Sequence, residues 1–266
     1  MSELDFRLQD DVAILTMSRP QARNALNEAM RESLEEALGR IDADSSIRAV
    51  ILTGAGGAFS AGGDVRALGA SDFEQSLDGR RLRMQRHHRV VKLMLGLDRP
   101  VIAAVDGAAF GAGFSLALMC DFMVATPRAR FCMAFGRIGL IPDYGALYTL
   151  PRWVGLPRAK ELMFSAREVS AQEALTLGLV LELVEPEALM DRAMVYAQSF
   201  CGASPQALPM TKAALNRSMS SDLNTMLDLE AWGQPLAGLS DYSKETVQGF
   251  AQKIPPRLRW PGPDKS

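Results

Sequence analysis

The sequence predicts an α/β fold whose first two thirds build a parallel sheet covered on both faces, followed by a helical C-terminal third. Three observations predict it. Short segments that are apolar throughout alternate with longer segments of helical spacing, the pattern of parallel strands buried on both sides. After about Gly155 helical spacing dominates, and only 180–184 (VLELV) still reads as strand. The chain has 266 residues, 48% of them apolar and 23% charged, which is enough to bury a full core in one or two domains.

The elements follow in order. Val12–Met17 is a short apolar run after an Asp pair and predicts the second strand of an opening hairpin. Asn27 is placed to cap a helix whose Met30, Leu34, Leu38 and Ile41 share one face. Residues 49–53 (AVILT) form an apolar strand that ends in a glycine cluster, and 77–97 a long basic amphipathic helix. Val101–Val105 (VIAAV) is a second buried strand, 111–120 a small-residue apolar helix, and Phe122–Ala125 a further strand. Helices are then predicted over 158–164, 171–177, 187–200, 209–219, 222–232 and 244–253.

Bulk properties exclude several classes. A net charge of −2 gives no standing attraction to nucleic acid or to an anionic membrane. Cys120, Cys132 and Cys201 lack CxxC or Cys/His spacing and read as reduced, buried thiols of a cytoplasmic protein. The opening MSELDFRLQDD is acidic and lacks the apolar stretch of a secretory signal. No uncharged apolar run reaches the ~18 residues of a membrane helix. A soluble cytoplasmic protein is expected.

Two glycine turns carry the functional signal. Ala58-Phe59-Ser60-Ala61-Gly62-Gly63-Asp64 follows one predicted strand, and Gly107-Ala108-Ala109-Phe110-Gly111-Ala112-Gly113 follows the next and opens a helix. Both stand where strands of an open parallel sheet end, the usual ligand position in such sheets. Small residues there admit a ligand to the backbone, and a helix start supplies free N–H groups. Either turn alone is equally well a tight connection. A phosphate loop is disfavoured: GxxxxGK[ST] is absent, and Phe59 stands where a GxGxxG pattern needs its third glycine.

Other residues attract attention for the wrong reasons. Ser115 in Gly113-Phe114-Ser115-Leu116-Ala117 approaches a nucleophile elbow, but the last position is alanine and the serine falls inside a predicted helix. His87 and His88 lie in the basic run 80–89, which reads as a solvated helix face. They offer no metal-ligand spacing either. Asp64 is better suited to capping a following short helix than to acid–base work. Trp153 and Trp232 read as core or interface residues, and the 14 methionines as packing or a pliable pocket.

The joint pattern resembles the crotonase (enoyl-CoA hydratase/isomerase) superfamily. Phe59-Ser60-Ala61-Gly62-Gly63-Asp64 is similar to that family's F-[SC]-[AS]-G-x-D element. The stretch from Pro100 through Val101, Asp106 and Gly107 to Gly113 is similar to its strand and second glycine turn, and Leu118-Met119-Cys120-Asp121 continues it. Ile138-Gly139-Leu140-Ile141-Pro142-Asp143, Leu150-Pro151-Arg152, Gly178-Leu179-Val180 and the region 245–253 extend the likeness over nearly the whole chain. The stretch from Met133 to Asp143 is nearest to the phenylacetate-pathway enoyl-CoA isomerases.

The resemblance implies a crotonase-like (ββα) spiral core over residues 1–200 and a helical C-terminal trimerisation region over 201–266. It implies an acyl-CoA thioester substrate, no separate cofactor beyond the coenzyme A of that substrate, no metal, and a homotrimer or homohexamer. Position by position, the Gly63 and Ala112 N–H groups become the oxyanion hole for the thioester oxygen. Arg23, Ala61, Val65 and Arg66 would lie along coenzyme A, with Phe250 and Lys253 reaching it from the C-terminal helix of the same or a neighbouring subunit. The two positions that carry water-holding glutamates in family hydratases are here Ser115 and Phe135. Asp143 is the acid that remains. Read from Pro142-Asp143 alone it is an ordinary turn aspartate; read through the family it is the catalytic carboxylate of a double-bond isomerase. The alternatives are a hydratase despite the missing glutamates, a thioester hydrolase or dehalogenase using Asp143, and a non-catalytic acyl-CoA binder.

Overall fold

The computed structural model describes residues 3–64 and 76–262. Six strands, β1 Leu4–Gln9, β2 Val12–Met17, β3 Ala49–Gly54, β4 Val101–Val105, β6 Phe122–Ala125 and β9 Glu182–Leu183, form one sheet in the order β1-β2-β3-β4-β6-β9. β1 and β2 make the antiparallel opening hairpin; every later pairing in this sheet is parallel.

The apolar strands are continuous because both of their faces are covered. Leu15, Met17, Val50, Leu52, Val101, Ala103, Val105 and Met123 point to the larger core, with Met30, Leu34, Leu38 and Ile41 of helix α1 (Glu28–Ala43) and Val90 and Met94 of α2 (Leu77–Gly96). The alternate residues Val12, Ile14, Ala49, Ile51, Ile102, Ala104 and Val124 meet a second core. That core is closed by Leu189, Ala193, Tyr196 and Ala197 from one stripe of a C-terminal helix, Leu189–Cys201. Each fully buried Val, Leu, Ile or Met among them contributes roughly 1.5–3 kcal/mol. Period-two strands thus sit between period-3.6 helix faces.

Helix starts follow local chemistry. Asn27 caps α1, its Oδ1 accepting the Met30 N–H at 2.9 Å, and Ser76 caps α2 by accepting from Gly79 at 3.0 Å. α3 (Ala112–Met119) is buried along its whole length, as its uncharged sequence requires. α4 (Ala146–Ser165) begins twelve residues before the helix expected at 158. It contains Pro151 and Pro157 and breaks at Gly155, whose φ is +75°; those breakers hid its first half. Helices α5 (Ala171–Thr176), α6 (Leu189–Cys201), α7 (Ala207–Ser218), α8 (Leu223–Gly238) and α9 (Asp241–Ala251) complete the chain.

The sequence did not predict a second sheet. β5 (Ala108–Phe110) pairs parallel with β7 (Arg130–Cys132), which pairs antiparallel with β8 (Glu168–Ser170). This small sheet springs directly from the second glycine turn and fixes where α3 begins. Cys120, Cys132 and Cys201 are all free thiols, the first two buried and the third half-buried. No helix among the described residues is long and apolar enough to cross a membrane.

Candidate active site

The two glycine turns are packed onto each other. The first pairs with β5 through Ser60, whose N–H donates to Ala108 O at 2.9 Å and whose carbonyl accepts from Phe110 N at 2.9 Å. A Cβ on Gly113 would fall 2.6 Å from Ser60 O, and one on Gly62 would fall 2.6 Å from Phe110 O. Gly62 also holds φ at +96°, a conformation that favours glycine. Side chains at either position would force the turns apart.

This packing brings two backbone donors together. The Cβ position of Gly62 lies 3.4 Å from Ala112 N, so the adjoining Gly63 amide and the Ala112 amide are neighbours. Leu26 N donates to Gly62 O and Asp64 N donates to Leu26 O, a parallel bridge that leaves the Gly63 N–H outside the ladder. Ala112 is the first residue of α3, so its N–H has no intrahelical acceptor. Neither amide is donated to an acceptor among the described residues. Gly111, with φ +51° and its N–H on Cys132 O at 2.8 Å, sets the angle at which α3 starts.

A third segment supports the first turn, and its key residue escaped the sequence reading. Asn24 is fully buried with φ +56°. Its Oδ1 accepts from Arg19 N at 2.9 Å, and its Nδ2 donates to Ala55 O at 2.8 Å and Ala58 O at 2.7 Å. Ser60 Oγ donates to Asn24 O at 2.8 Å, and Ala61 N donates to Arg23 O at 2.8 Å. Asparagine is the residue type that both tolerates a left-handed backbone and bridges carbonyls, and that is the signal in RPQARNALN. Arg23 and Ala61 therefore stand side by side and exposed next to the amide pair. Asp64 accepts from Arg19 Nη2 at 3.1 Å; the helix it was expected to cap, and the candidate residues Val65 and Arg66, lie outside the described residues.

Asp143 sits in the turn between a 3-10 segment, Ala134–Ile138, and α4. Phe135 of that segment is buried, with its Cζ 3.9 Å from the Cβ position of Gly111. Leu140 N donates to Phe135 O at 3.0 Å, and Ala146 N to Asp143 O at 3.1 Å. The Asp143 side chain is half-buried; its Oδ1 is sealed from solvent and has no hydrogen-bond partner among the described residues. Burial pushes its carboxyl up to about 6, against the opposing pull of the Arg31 and Arg83 charges. Ser115, at one hydratase glutamate position, is fully buried and its Oγ donates back to Gly111 O at 3.2 Å.

One expectation is corrected. His87 is not on a solvated face: it is 6% exposed and stacks on Tyr144 with ring centroids 5.2 Å apart. It lies on the stripe of α2 that also buries Val90 and Met94, a spacing of three and four that the surrounding arginines obscured. Burial and the Arg31 and Arg83 charges push its imidazole down to about 3. Trp232 is 82% exposed, and Trp153 is half-buried with Nε1 on Leu118 O at 3.1 Å. Phe250 and Lys253 both face solvent near the end of α9, which packs on α8 and, through Tyr242 Oη, on Gly202 O at 2.8 Å. Among the described residues no group of three or more His, Cys, Asp or Glu is placed to hold a metal.

Comparison with known proteins identifies a family over nearly the whole chain. Residues 7–260 match the family described as enoyl-CoA hydratase/isomerase. A short-chain-enoyl-CoA hydratase of Clostridium acetobutylicum is 37% identical over 245 residues, covering 91% of this chain and 92% of the relative. A 1,2-epoxyphenylacetyl-CoA isomerase of Escherichia coli K12 is 36% identical over 251 residues, covering 94% and 96%. The crystal structure of an enoyl-CoA hydratase/isomerase from Cupriavidus metallidurans CH34 superposes with a TM-score of 0.94 at 45% identity, covering 100% of this chain and 99% of that one.

Proposed function

The chain belongs to the enoyl-CoA hydratase/isomerase family, and from that premise we propose that it shifts the double bond of an enoyl-CoA thioester by proton transfer through a stabilised enolate. In this reading the thioester oxygen accepts from the Gly63 and Ala112 amides, where negative charge develops in the transition state. Fixed donors of this kind stabilise the enolate more than the ground state. The same polarisation acidifies the α- and γ-protons. Asp143 takes one of them and returns it to the other carbon, so one base completes the reaction.

The observation that carries the proposal is the state of Asp143. A carboxylate with a sealed, unpartnered oxygen and an affinity for protons tuned to about pH 6 is suited to accept and release a proton near neutrality. Syn-hydration calls for a second group to hold water, and the two positions that would supply it are the self-bonded Ser115 and the apolar Phe135. Hydration is the second reading, favoured by the hydratase names among the relatives. The test is turnover of 3-enoyl-CoA and of crotonyl-CoA by wild type and Asp143→Asn. Isomerisation should fall by about 10²–10⁴-fold; an unaffected rate removes Asp143 from the mechanism, and efficient hydration of crotonyl-CoA by the wild type favours the second reading.

Coenzyme A itself would run past Arg23 and Ala61, which flank the amide pair, with no separate cofactor. For assembly, residues 201–266 are proposed as the contact region of a trimer or hexamer, which would carry Phe250 and Lys253 toward a neighbouring subunit's coenzyme A. Its support is that α7, α8 and α9 bury no residue fully within one chain, while Leu223 (73%), Trp232 (82%) and Phe250 (84%) are largely exposed.

A further inference from the structure

Asp143 does not stand alone in its unmet hydrogen bonding. Nine sealed side-chain nitrogen or oxygen atoms among the described residues lack a well-formed hydrogen bond, although Arg19 Nε ion-pairs with Glu3 at 3.0 Å and Arg31 lies close enough to Tyr144 to share a hydrogen bond with it. Six of the nine belong to one neighbourhood: Asp143 Oδ1, Tyr144 Oη, both ring nitrogens of His87, Arg31 Nε and Arg83 Nε. Native interiors hold few such atoms, and each is normally met by water or a ligand. Their concentration around one carboxylate is the anomaly to explain.

The backbone there is built to present these groups. Tyr144 holds φ at +51° and Gly145 at +74°, two successive left-handed residues that turn the tyrosine ring inward to 2% exposure. Left-handed backbone on a non-glycine residue is strained and tends to occur at functional positions. A Cβ on Gly145 would come 3.1 Å from Val91 Cγ1, one helical turn along α2 from His87, so the turn is pressed against the helix that supplies the imidazole. Arg31 keeps its two terminal nitrogens on Leu26 O at 2.9 Å and Glu28 Oε2 at 2.7 Å. Its charge still reaches Asp143, Tyr144 and His87, and Arg83 reaches Asp143 and His87. An aliphatic chain lying against this wall would leave Asp143 Oδ1, both His87 nitrogens and Arg83 Nε unmet and Tyr144 Oη with Arg31 alone.

We propose that the acyl group this enzyme accepts carries a hydrogen-bonding oxygen beyond its reacting carbons, which docks on Tyr144 Oη and the His87 imidazole beside Arg31 and Arg83. The inference rests on the reading that places the acyl group at Asp143, and it specifies the substrate class of that site. Tyr144 and His87 then act as specificity residues: they select the oxygenated chain and take no part in the proton shift.

The test measures binding by titration calorimetry on the wild-type protein. Saturated thioesters serve as ligands because they have no double bond to shift. Butanoyl-, hexanoyl- and octanoyl-CoA are each compared with the ester of the same length ending in a hydroxyl or a carboxylate. At one length or more, an oxygenated ester should bind at least about tenfold more tightly than its aliphatic partner. Tyr144→Phe and His87→Leu should each cut that ratio to about threefold or less while leaving the aliphatic ester's affinity in place. Should one variant fold poorly, the other and the wild-type ratio still decide. A preference for either oxygenated ester upholds the proposal where Tyr144→Phe or His87→Leu reduces it. Aliphatic esters that bind as tightly as their partners at every length overturn the proposal, as does a ratio that survives both variants. Binding of no ester at any length would instead sink the acyl-CoA reading itself.

Discussion

Asp143→Asn should make the protein inactive and more stable at the same time. The carboxyl is held at about 6 in the folded state against an ordinary value of 3.8. Folding therefore favours its neutral form. That contribution is fully present below pH 3.8 and is lost as pH rises through about 6. At pH 8 the ionised group costs the fold about 3 kcal/mol relative to the unfolded chain. Asparagine has nearly the shape of the neutral acid and carries no charge, so it removes the cost. Urea unfolding at pH 8 should place the variant's midpoint above the wild type's by an amount worth about 2–3 kcal/mol, a difference large enough to resolve against ordinary extrapolation error. At pH 4, where the folded carboxyl is already protonated, the gain should shrink below about 1 kcal/mol. The wild type's isomerase rate should rise with pH through about 6 as the base form appears. Equal midpoints at pH 8, or a gain that persists unchanged at pH 4, would refute the claim that desolvation sets this carboxyl's proton affinity.

Three further outcomes follow from the same geometry. Gly62→Ala places a methyl 2.6 Å from Phe110 O at a φ of +96°; it should cost at least about 2 kcal/mol and lower the turnover number more than substrate affinity, read by urea unfolding beside steady-state kinetics. Asn24→Ala removes three hydrogen bonds, one within the Arg19 segment and two joining it to Ala55 and Ala58, and should cost about 3 kcal/mol, seen as a clear drop in thermal midpoint. His87 is buried neutral, with its imidazole depressed from 6.5 to about 3. Its contribution is present above pH 6.5 and lost as pH falls toward 3, by on the order of 5 kcal/mol at most; His87→Leu should therefore flatten the loss of stability between pH 7 and pH 4 in chemical unfolding.

How far this molecule is legible in its sequence depends on the length over which each signal repeats. β2, β3, β4 and β6 were evident because both strand parities are apolar, which only a doubly covered sheet tolerates, and α1 because Asn27 precedes a clean stripe of Met30, Leu34, Leu38 and Ile41. β5, β7 and β8 have three residues each, too few for any period to register, so the second sheet was invisible although it aims α3. The same limit applies to the site. Gly63 and Ala112 were named through the family resemblance, and the turns that hold them are legible because they constrain size: small residues at 62 and 113, required by carbonyls within 2.6 Å, and a helix beginning at 112. Asn24 left a weaker record, a single polar letter whose three bonds reach residues 19, 55 and 58. His87 left a misleading one, because its buried stripe with Val90 and Met94 is interrupted by Arg83, Arg86 and Arg89. Chemistry performed by the backbone is thus written as constraints on size, which a sequence displays openly. Selectivity performed by side chains depends on which turns of distant helices meet, and Tyr144 on His87 is a contact that only the folded chain reveals.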